Sequence, residues 1–77
     1  MRSDKWVLEI YRALGGGDHI ATVEFESLSL LRAAITETHD KKFIVKLPAR
    51  ATAADRITLL DMRAQGLDIA IRSSNSR

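Results

Sequence analysis

Seventy-seven residues, 45% hydrophobic and 29% charged, suffice for one small globular domain and leave no length for a second. The absence of cysteine excludes disulfides, thiolate metal sites and cysteine nucleophiles. The net charge of +2 hides a division, because residues 1–40 carry four Lys or Arg against seven Asp or Glu (net −3) and residues 41–77 carry eight against three (net +5).

The first element runs from Lys5 to Ala13, where Trp6, Leu8 and Ile10 alternate with Val7, Glu9 and Tyr11 in strand periodicity. Gly15-Gly16-Gly17-Asp18 separates it from a second alternating run, in which Ala21, Val23 and Phe25 oppose Ile20, Thr22 and Glu24. The pair reads as a β-hairpin. A phosphate-binding loop would need a helix after the glycines, and here a strand follows.

Ser27 or Ser29 then caps an amphipathic helix to about Thr38, with Leu30, Leu31, Ala34 and Ile35 at helical spacing. After His39-Asp40-Lys41-Lys42 comes a third strand, Phe43 to Leu47, ended by Pro48. Thr52-Ala53-Ala54-Asp55 fits the start of a second helix, and Gly66 its stop, with Leu67 placed for the apolar contact that accompanies a glycine cap. Asp68 to Arg72 forms a fourth strand, and Ser73 to Arg77 reads as a frayed tail on an ordered core of about residues 5–72.

The order is ββαβαβ, an α+β fold read as a two-layer sandwich. Right-handed crossovers stepping the same way give a four-stranded mixed sheet of order 2-1-3-4 with both helices on one face, and the competing order 2-1-4-3 would split the helices between faces. The covered face would hold Trp6, Leu8, Ile10, Ala21, Val23, Phe25, Phe43, Val45, Leu47, Ile69 and Ile71. The opening hairpin and helix also resemble a β-grasp domain, in element order, over about the first two thirds of the chain.

Chemistry-bearing patterns are sparse. His19 and His39 each stand beside an aspartate at an element boundary, with no His-x-x-x-His or Glu-x-x-His spacing, and read as solvated loop residues. No serine lies in a nucleophile setting, and Glu24 and Glu26 share a solvated strand face. These observations predict a non-enzymatic chain with no cofactor, no metal and no small-molecule substrate. The missing disulfides point to a cytoplasmic setting. The charged start with no long apolar run behind it predicts neither a signal peptide nor a membrane span.

Apolar residues left over from the core are the stronger signal. On helix 2 the stripe Ala53, Ile57, Leu60 and Ala64 is expected to face inward, leaving Leu59 and Met62 on the outer side near Arg56 and Arg63. The open sheet face is expected to show Val7, Tyr11, Ile20 and Ile44 among charged residues. These six residues predict a protein-interaction or adaptor module, self-associating through the open sheet face or helix 2. The alternative is a nucleic-acid-binding accessory protein using Lys41, Lys42, Lys46, Arg50, Arg56, Arg63 and Arg72. It lacks the aromatic-rich strands, the Gly-x-x-Gly loop and the helix-turn-helix that would support it. The same charges predict a lateral dipole, with an acidic hairpin edge and a basic edge of strands and helix 2.

Overall fold

A computed structural model describes residues 5–13, 17–38 and 40–73. The elements are β1 (Trp6–Arg12), β2 (His19–Phe25), α1 (Leu28–Thr36), β3 (Lys41–Leu47), α2 (Ala53–Ala64) and β4 (Ile69–Ser73). Gly15, Gly16, His39 and residues 74–77 lie outside the described residues. Ser73 ends β4, so the strand reaches one residue into the segment expected to fray.

The strands form one sheet of order β2-β1-β3-β4. β1 runs antiparallel to both β2 and β3, and β4 runs parallel to β3. This is the topology that two right-handed crossovers stepping the same way produce. Both helices contribute to a single core on one side of the sheet. Trp6, Leu8, Phe43, Val45, Leu47 and Ile69 meet Leu31 and Ile35 of α1 and Leu59 and Met62 of α2. The indole nitrogen of Trp6 is buried there without an acceptor among the described residues, a cost of roughly 1–3 kcal/mol that the packing around the ring has to offset.

Local signals set the helix ends. Ser27 caps α1, its hydroxyl oxygen accepting from the Leu30 amide at 3.3 Å. Thr52 and Asp55 form a reciprocal capping box at the expected helix start: the Asp55 amide donates to Thr52 Oγ1 at 3.2 Å, and the Thr52 amide donates to Asp55 Oδ2 at 3.0 Å. At the other end Gly66 adopts φ 110°, a left-handed conformation costly for any residue with a Cβ, and its amide donates to the Arg63 carbonyl at 3.1 Å.

Three packing expectations fail. Leu30, read at helical spacing with Leu31, Ala34 and Ile35, is 54% exposed, while Leu31 and Ile35 are fully buried. Val23 lies in the register of the covered face yet stays 38% exposed: β2 is the edge strand, and it packs against the core through Phe25 at its end. Helix α2 is also rotated by about half a turn from the orientation expected. Leu59 is fully buried and Met62 is 3% exposed, whereas Ile57 and Leu60 are 65% and 50% exposed. The helix carries two apolar arcs on opposite sides, and the arc with more members is not the one that packs. The closing turn explains the choice. Leu67, just past Gly66, packs on the core, and in a glycine cap that position meets the residue five before it, here Met62. Burying Met62 fixes Leu59 beside it.

Leu59→Ala should destabilise the domain by about 2–5 kcal/mol, and Leu60→Ala by less than about 0.5 kcal/mol, in urea unfolding. The reverse ranking would return α2 to the orientation read from the sequence.

Candidate interaction surfaces

Two surfaces remain outside the core: the uncovered face of the sheet and the outer side of the helical layer. Strand register orders the first into rows. Glu24, Val7, Lys46 and Arg72 lie side by side across the four strands, and Thr22, Glu9, Ile44 and Ala70 form the next row. Beyond them, the register shift between Ile10 and Tyr11 skips Ile20, so that His19 faces Tyr11 and Tyr11 faces Lys42.

A connected polar chain occupies this face. Lys46 Nζ is 2.9 Å from Glu9 Oε2, and the Tyr11 hydroxyl donates to Glu9 Oε1 at 2.9 Å. The Tyr11 ring meets the His19 ring edge-on at 5.2 Å, and His19 Nε2 lies 2.8 Å from Thr22 Oγ1. The bond from Lys46, then that from Tyr11, holds the Glu9 carboxyl below its ordinary value. Glu9 in turn raises the Tyr11 phenol, because the neutral hydroxyl is the donor. Val7, Tyr11 and Ile44 are partly buried here, and Ile20, left without a cross-strand partner at the register shift on the edge strand, is 48% exposed. The centre of the open face is thus a paired polar network, with Glu24, Lys42 and Arg72 around it and apolar residues set between the charges.

The outer side of α2 differs. Ala53, Ile57, Leu60 and Ala64 recur in steps of four, three and four residues, all exposed, on the side opposite Leu59 and Met62. Arg56 and Arg63 flank this stripe on one side and Asp61 on the other, as a helical wheel places them. Leu59 and Met62 are therefore withdrawn as surface residues. The apolar outer surface of α2 belongs to Ile57 and Leu60.

The basic candidates do not converge. Lys42, Lys46 and Arg72 share the open face, whereas Arg56 and Arg63 lie on the outer helix. Lys41 opens β3 opposite Arg12. The Arg50 guanidinium donates to the Glu26 carbonyl at 2.8 Å, tying the loop after β3 to the one after β2. Helix α2 is also neutral, with Asp55 and Asp61 balancing Arg56 and Arg63. The basic side of the molecule is thus β3 and β4 without α2. His19 is exposed, and among the described residues no three ligating side chains gather and no pocket opens. Among the described residues no helix is long and apolar enough to cross a membrane.

No family model, no curated protein and no solved structure matches this chain. The β-grasp resemblance of the opening hairpin and helix therefore remains a likeness in element order.

The Glu9 network fixes a pH dependence. A depressed carboxylate stabilises the fold fully above its ordinary value of about 4.5, and this contribution is lost as pH falls through the lower folded value. For Tyr11 the sign reverses: its contribution is complete below about 10 and is lost as pH rises through the raised folded value. Glu9→Gln should cost about 1 kcal/mol or less at neutral pH, and the gap from wild type should close on acidification. A gap that widens towards acid would contradict the pairing.

Proposed function

We propose that the chain is a non-enzymatic protein-interaction module that docks through the outer face of α2. The observation that carries this reading is the exposure of Ile57 and Leu60 on a helix whose opposite side already fills the core. Scattered exposed hydrophobics are ordinary on a protein surface. A stripe of four residues at helix-packing spacing is a more organised feature, and helix-on-helix docking uses this pattern of anchors. The open sheet face supports docking less well, since Lys46, Glu9 and Tyr11 bind one another across its centre and Val7, Tyr11 and Ile44 are partly buried. A nucleic-acid role for the basic residues is less supported still, because they divide between surfaces and Lys46 is engaged by Glu9.

Ile57→Asp combined with Leu60→Asp alters only exposed positions, so the double variant should keep its melting temperature within a few degrees, by roughly the small effect of surface substitution. In light scattering over a concentration series, the wild-type mass is expected to rise while that of the double variant stays flat. A rise that persists in the double variant and vanishes in Ile20→Asp would move docking to the sheet and overturn the reading.

A further inference from the structure

Resting on that reading, we infer that the partner of the outer α2 face is a second copy of the chain, with the two α2 helices parallel and in register. The stripe defines heptad positions: Ala53 and Leu60 at d, Ile57 and Ala64 at a. A β-branched residue at a with leucine at d is the combination that favours two parallel strands. The flanking charges select the same arrangement. Arg56 falls at g and Asp61 at the following e, five residues on, and in a parallel pair these positions meet between helices. By the twofold symmetry, each Arg56 faces Asp61 of the second copy. In an antiparallel pair, g faces g, so Arg56 would lie beside Arg63 of the second copy, and Asp61 would face only Ala54. Charge complementarity therefore favours the parallel pair and opposes the antiparallel one.

The contact is small. A helix of this length spans about 18 Å, and the stripe falls well short of the roughly 1,600 Å² of a standard interface, so the dimer is weak and forms at high micromolar concentration. Its twofold axis runs along the helices, which puts the two sheets on the outside and leaves both open faces in solvent.

The chain has no native cysteine, so single-cysteine variants report on orientation without interference. Ala64→Cys should form a disulfide with itself under mild oxidation, because residue 64 faces its own copy only in the parallel pair. In the antiparallel pair, residue 64 faces residue 53, and only a mixture of Ala53→Cys with Ala64→Cys would cross-link the two chains. In sedimentation equilibrium, Arg56→Asp and Asp61→Arg should each weaken dimerisation about tenfold, and mixing these two variants should restore it. An antiparallel dimer would instead be strengthened by Arg56→Asp, which would overturn the inference while association lost in Leu60→Asp still upheld docking through α2. A wild-type chain monomeric to about 1 mM would overturn the second copy as partner. Dimerisation untouched by Leu60→Asp would overturn the docking surface itself.

Discussion

One apolar layer holds this domain together. Trp6, Leu8, Phe43 and Val45 project from the two central strands onto Leu31, Ile35, Leu59 and Met62 of the helices. A chain this short has no second core to fall back on. Each side chain that packs inward is thus spent on that layer, and each apolar side chain that does not is left in solvent. The rotation of each helix about its own axis consequently decides the molecular surface as well as the core.

Helix α2 makes this constraint visible because both of its sides are apolar. Burying Leu59 and Met62 obliges Ile57 and Leu60 to face outward, since the two arcs lie on opposite sides of one cylinder. Rotating the helix would exchange one exposed pair for the other and would not hide both. The capped ends help to hold the rotation, with the Thr52 and Asp55 box at the start and Gly66 followed by Leu67 at the close. What faces solvent is thus a result of what the sheet accepts beneath it.

Much of the fold was legible in the sequence because it rests on local periodicity. Alternation located four strands, Thr52 and Gly66 bounded α2, and right-handed crossovers with strands apolar on one face favoured the sheet order found over the competing 2-1-4-3. The strand register carried the charge division of the chain into the sheet, where β3 and β4 hold Lys41, Lys42, Lys46 and Arg72 on the side away from β2. The outer surface of α2 differs from the reading because a helical wheel ranks arcs by apolar membership, and the four residues Ala53, Ile57, Leu60 and Ala64 outnumber Leu59 and Met62. The decisive signal was Leu67. It was recognised as a cap contact, but its position also fixes Met62 on the inner side. The network from Lys46 through Glu9 and Tyr11 to His19 was not legible, since it depends on cross-strand register and on a skipped residue at Ile20.

The exposed stripe and its covering by association form the central claim. Methyl-resolved NMR with a soluble paramagnetic relaxation agent reads it residue by residue. In dilute solution, Ile57 and Leu60 methyls should relax strongly while those of Leu59 and Met62 stay protected. On raising the concentration, Ile57 and Leu60 should become protected and Ile20 should not. Strong relaxation at Leu59 and Met62, or protection that grows at Ile20 while Ile57 and Leu60 stay open, would contradict the account.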